Sequence, residues 1–149
     1  EENQIIFNYN GVELVSRLID GQYPDYNQII PNNFNTILKV NTIDLIKAVK
    51  ASSLFAKSGV FDVKLVFSDS DNLSISASSS QVGENNSNID IEKNGPNGEI
   101  VINYKYILDG LQNIQSEFVV IEIIDSNTPI IIKPSDINDY LYLIMPIRQ

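Results

Sequence analysis

Apolar and polar residues alternate along much of this chain in short runs, and the runs are separated by clusters of Asn, Asp, Gly and Pro. Residues 4–19, "QIIFNYNGVELVSRLI", place Asn10-Gly11 between two strand-like stretches. That dipeptide accepts positive φ at both positions of a type I′ turn and predicts a β-hairpin. The following "DGQYPDYNQIIPNNFN" has no sustaining period and reads as a linker, with a domain boundary near Pro31 to Asn35. "TILKV" is then a short strand. Asn41, with Asp44 three residues on, gives a capping-box-like start to a helix over about 42–56. Leu45, Ile46 and Val49 fall on one side of that helix, and Lys47, Lys50 and Lys57 recur at helical spacing on another.

Strands are predicted at "VFDVKLVFS" and "NLSISASS", joined by the polar "DSDN", with Leu73, Ile75 and Ala77 on one buried face. "NSNIDIEKNGPNGEIVIN" reads as two strands around a Gly-Pro-Gly turn. Asn103 is the expected N-cap of a second helix, whose core stripe is Tyr104, Ile107, Leu108 and Leu111, with Lys105, Asp109 and Gln112 opposite. "FVVIEII", "PIIIK" and "YLYLIMP" complete the set as strands. From Thr36 the order reads β-α-β-β-β-α-β-β-β. Two helices among hairpin-connected strands predict an α+β fold, with a mainly antiparallel sheet carrying both helices on one face. The blocks ending "LIDGQYP" and "YLIMP" echo each other in strand-turn-strand-Pro order, which suggests that residues 1–31 are the tail of a preceding copy of the same domain.

Composition narrows the chemistry. The chain has no Cys and no His. Disulfides, thiol nucleophiles, Ser-His-Asp catalysis and the commonest zinc ligands are therefore unavailable within it. No apolar run reaches the roughly 20 residues of a membrane-spanning helix. No signal peptide precedes Glu1, so the expectation is a processed or truncated, cytoplasmic bacterial-type protein. A formal net charge of -9 opposes polyanions at long range, so any nucleic-acid contact must be local.

Individual motifs each have a plain reading. "DSDNL", Asp69 to Leu73, has acidic spacing but lacks the Gly and Glu of a calcium loop, and reads as a turn. Asp20 and Asp25 beside Gly and Pro are turn formers rather than an acid/base pair. No phosphate-binding loop, dinucleotide fingerprint or zinc knuckle is present. The lysine stripe is either a solvated helix face or a phosphate-facing one. The closing "YLYLIMPIR" is a core strand by alternation up to Ile144. Met145, Pro146 and Ile147 lie beyond that alternation and suit a surface that accepts varied apolar side chains.

"LVSRLIDGQYPDYNQIIP", "NYKYILDGLQNI", "IIDSNTPIIIKP" and "YLYLIMPIR", in that order and with nearly unbroken spacing from about Asn3 to Arg148, resemble the C-terminal part of the bacterial sliding clamp family, the beta subunit of DNA polymerase III. The resemblance implies three domains per chain, each two helices over a sheet, and two chains closing head to tail around duplex DNA. Residues 1–31 would be the end of the middle domain and 32–149 the third domain. It implies a non-catalytic processivity factor with no cofactor and no membrane association. Its helices line the channel, so Lys47, Lys50, Lys57 and Lys105 would face DNA. An acidic chain with a basic inner stripe fits a ring held by topology rather than by affinity.

The family's partners are the polymerase III catalytic subunit, the clamp loader and repair proteins. They dock short peptides in a groove between the middle and third domains. Carried onto this chain, the groove comprises Pro24, Ile29, Asn103, Tyr106, Pro129, Leu143, Ile144, Met145, Pro146, Ile147 and Arg148. The chain departs from the family at Gln28, where arginine is common, and at Gln149, where leucine is common. Leu54 and Phe55, at the end of the first helix, are implied in the contact of the full-length homodimer; core packing is their other reading. On composition alone, an acidic β-rich surface adhesion module is the alternative function, suggested by the Asn, Ser and Ile content.

Overall fold

The computed structural model of the chain describes residues 3–69 and 71–148. Ser70 of the acidic turn and Gln149, one of the two departures from the family pattern, lie outside these residues. The chain begins with a hairpin of β1 (Gln4–Tyr9) and β2 (Val12–Arg17). Asn10 at φ 47° and Gly11 at φ 79° form the expected left-handed turn. Its register pairs Phe7 with Leu14 and Tyr9 with Val12. Those side chains and Ile5 therefore share one face of the ribbon, and every residue of both strands is exposed. A two-stranded ribbon has no core of its own, so this apolar face is stable only when something covers it.

A linker containing one 3-10 turn at Tyr26–Gln28 follows, and the remaining elements build a single layered unit. They are β3 (Thr36–Asn41), α1 (Thr42–Ser53), β4 (Asp62–Phe67), β5 (Asn72–Ser79), β6 (Gly83–Asn94), β7 (Gly98–Asn103), α2 (Tyr104–Leu111), β8 (Phe118–Ile123), β9 (Ile130–Pro134) and β10 (Tyr142–Ile144). The sheet runs β10-β9-β8-β3-β6-β5-β4-β7, with every neighbouring pair antiparallel. The two halves meet at β6, whose Gly83–Asp90 pair with β5 and whose Ile91–Asn94 pair with β3.

Both helices pack on the sheet and on each other, α1 over β3 to β6 and α2 over β7 and β10. Alternation puts Leu38, Leu65, Leu73, Ile75, Ile102, Ile121 and Ile132 on the inner face, where they meet Leu45 and Val49 of α1 and Ile107 and Leu111 of α2. Each fully buried aliphatic side chain contributes about 1.5–3 kcal/mol relative to exposure. An eight-residue helix is too short to persist alone, so α2 rests on this packing and on its Asn103 cap.

Three expectations need correction. Four strands separate the helices, matching the individual segments rather than the three of the β-α-β-β-β-α-β-β-β order, and the polar "GENNSN" extends β6 back to Gly83. The first helix ends at Ser53, not near 56, and its last turn is fixed to the sheet by Ser52 Oγ, within hydrogen-bond distance of Ile75 O and Asn85 Oδ1. The chain then closes in tight turns, Phe55 N to Ser52 O and Ala56 N to Ser53 O. The last strand is confined to Tyr142–Ile144, with Tyr140 held instead by its hydroxyl, which donates to Gly110 O at 3.0 Å.

Pairing does not end at the proline. Pro146 is buried, and the Ile147 N–H donates to Val101 O on β7 at 2.7 Å. The tail thus leaves one margin of the sheet at β10 and joins the other at β7.

Candidate functional site

Two of the carboxylates weighed in the sequence have plain structural partners. Asp25 caps the 3-10 turn, accepting from Asn27 N, Asn27 Nδ2 and Gln28 Nε2. Asp69 lies 3.7 Å from Lys93, whose buried ammonium also donates to Gly95 O and Asn97 Oδ1 across the β6–β7 turn. Among the described residues no cluster of three or more acidic side chains is placed to hold a metal ion.

The lysines occupy distinct settings. Lys47 and Lys50 stand exposed on α1, Lys47 within 3.5 Å of Asp44 one turn earlier. Lys57 lies beyond the helix and borders a recess shared with Asp62, Lys64 and Glu84. Lys105 extends from the first turn of α2 over the ring of Phe61, its ammonium 3.4 Å from the centroid. Phe61 adopts φ 60°, a conformation costly for an aromatic residue. It is held there by the Tyr104 N–H, which donates to its carbonyl at 2.8 Å, and by edge-to-face contact with the Tyr104 ring at 5.9 Å.

The residues carried over for a peptide groove divide into accessible and structural. Pro24, Ile29, Tyr106, Met145 and Arg148 are exposed; Pro129, Leu143 and Ile147 are half-buried. Ile144 and Pro146 are buried and belong to the framework. Asn103 Oδ1 accepts from Lys105 N at 2.9 Å as the α2 cap. Ile147 also lines a recess of about 500 Å³ with Gly98, Val101 and Asn127. The role of Val101 had no sequence signal, since only the fold brings β7 to the tail. Beside Tyr106, Tyr142 stacks parallel to Tyr140 with centroids 6.4 Å apart. Burial first, then the charges of Asp109 and Tyr106, raises the Tyr142 pKa above its ordinary value.

At the far end of α1, Leu54 is 72% exposed, whereas Phe55 is half-buried, packs on the core and lies near Gly83. Core packing is thus part of the answer for Phe55 and not for Leu54. Beside them, Gly83–Asp90 of β6 have a ladder partner on one side only among the described residues. A cleft of about 690 Å³ lies between α1 and this strand, with Lys39, Lys47, Asp90 and Phe118 in its walls.

With this geometry in hand, a sequence model of the DNA polymerase III beta subunit, C-terminal domain, matches residues 27–148. The chain belongs to that family. It is 33% identical to the beta sliding clamp of Staphylococcus epidermidis across 98% of its own length and 39% of that protein. The DNA polymerase sliding clamp of Pseudomonas aeruginosa superposes on the whole chain at TM-score 0.91 and 27% identity, over 40% of its length. The beta subunit of Thermotoga maritima does so over 99% of the chain at TM-score 0.89 and 32% identity, again over 40% of its own length. The chain therefore spans about two fifths of the relatives it matches. Family membership leaves the adhesion-module reading without support. Among the described residues no helix is long and apolar enough to cross a membrane.

Proposed function

We propose that this chain acts as the C-terminal part of a sliding clamp, a non-catalytic cytoplasmic processivity factor. In this reading residues 1–31 are the closing hairpin and linker of the middle domain, and 32–149 are the third domain. The observation that carries it is continuous similarity to clamps over 98% of the chain, including the hairpin that lies before the matched C-terminal domain. The exposed apolar face of that hairpin is what a middle-domain strand pair would present once its own domain is removed.

Lys47, Lys50, Lys57 and Lys105 face the duplex and guide it by non-specific, salt-sensitive attraction while the closed ring retains it. Short peptides of the polymerase III catalytic subunit, the clamp loader and repair proteins dock beside Met145 to Arg148, with Tyr106, Pro129, Leu143, Pro24 and Ile29 as further walls. Leu54 and the one-sided edge of β6 take the partner subunit of the homodimer, an apolar contact next to unpaired backbone.

The test is titration of a clamp-binding peptide against the 149-residue chain and against the full-length protein that contains it. Binding to both is expected, weaker for the shorter chain. Because Ile147 is bonded to Val101, removing the tail would perturb the fold. Met145→Ala and Arg148→Ala are the cleaner variants, and unchanged affinity in both would overturn the groove assignment.

A further inference from the structure

Away from the tail, the end of α2 and the β9–β10 loop enclose a small recess of about 280 Å³, walled by Asn113, Ile114, Pro134, Ile137, Asp139 and Tyr140. It is slightly smaller than the roughly 300 Å³ lower bound of drug-sized sites and suits a single large side chain. The Tyr140 wall is rigid: its ring stacks on Tyr142 at an interplanar angle of 1°, and its hydroxyl is tied to Gly110 O. Ile137, 50% exposed, forms an apolar lip.

Charge selects the occupant. Asp139 stands in the wall of the recess, Asp136 on the same loop accepts from Ser116 Oγ, and Asp109 lies one turn before Asn113; the cation nearest this loop in sequence is Lys133. Lys133 is committed to Glu122 at 2.6 Å. The recess also lies at the carbonyl end of α2, the negative pole of its dipole, with Asn113 Nδ2 anchored on Asp109 O. A stacked aromatic wall, an apolar lip and a negative field together match a flat, weakly hydrated cation on an aliphatic stem better than a compact ammonium.

We infer that the recess between α2 and the β9–β10 loop is a docking point for an arginine side chain of a partner polypeptide, separate from the groove at the tail. The guanidinium lies on the Tyr140 ring with Asp139 at its edge, and the arginine stem covers Ile137.

The probe is a short Gly-Ser-Arg-Ser-Gly peptide with blocked ends, beside its lysine and citrulline counterparts, followed by amide NMR shifts on the 149-residue chain. Saturating shifts at Asn113, Ile137 and Tyr140 are expected with arginine, weaker by about threefold or more with lysine and absent with citrulline. Asp139→Asn, an exposed position, should weaken arginine binding by a similar factor at unchanged thermal unfolding. Equal shifts with citrulline, shifts confined to the tail, no shifts at all, or full affinity in Asp139→Asn would each overturn the proposal. None of these outcomes bears on clamp-peptide binding, so the two readings fail separately.

Discussion

Tyr142 lies flat against Gly110, so close that a Cβ added to the glycine would fall within contact of ring atom Cδ1 and 2.7 Å from Cε1. The absence of a side chain on α2 is what lets β10 approach the helix. Gly110→Ala gains about 1 kcal/mol of helix propensity. It also forces an aromatic ring out of place, at about 1–3 kcal/mol. A net loss of stability in urea unfolding is expected, with altered near-ultraviolet dichroism from the displaced tyrosines.

Two other glycines make a controlled pair. Gly59 and Gly95 both have positive φ, 89° and 117°; a Cβ at Gly59 meets open space, whereas one at Gly95 collides with Asn35 O and comes within 2.8 Å of Thr36 Cα. Replacing each by Ala should cost about 1 kcal/mol at Gly59 from backbone strain alone. The loss at Gly95 should be clearly larger. Equal losses by denaturant unfolding would show that the turn moves freely off the linker.

Asn103 separates capping from recognition. Asn103→Ala should destabilise by about 1 kcal/mol, while Asn103→Asp retains the acceptor and most of the stability. A clamp peptide that uses the amide N–H of this side chain would lose affinity in both variants, a difference readable by calorimetry at matched stability.

Asp125 turns the chain between β8 and β9. Backbone N–H donors of Asn127 and Thr128 hold its carboxyl below the usual carboxylate range. A depressed folded value stabilises the fold above the unfolded value, and that contribution disappears as pH falls through the folded one. Protection factors at Asn127 and Thr128, taken relative to the intrinsic exchange rate at each pH, should therefore be highest near neutrality and fall in acid, whereas Asp125→Asn should flatten this dependence.

Both N-caps were legible in the sequence because capping is settled within three residues: Asn41 and Asn103 cap the two helices. The hairpin turn was legible for the same reason. What escaped was set at long range. The last turn of α1 meets β5 and β6 through Ser52, Ile75 and Asn85, and β6 extends through a polar run whose partner strand, not its own pattern, makes it regular. The recess at Tyr140 joins a helix end to a loop beyond two intervening strands, and no spacing in the sequence announces it. The buried role of Pro146 was hidden too, since Val101 comes to the tail only after β7 is in place.

One practical consequence follows from the way Ile147 fastens the last residues to β7. A handle, surface anchor or fused protein attached after Arg148 would pull directly on the hydrogen bond between Ile147 and Val101. One placed ahead of the hairpin would load the linker and leave that bond slack. Tethered measurements on this domain should therefore be built from the N-terminal side.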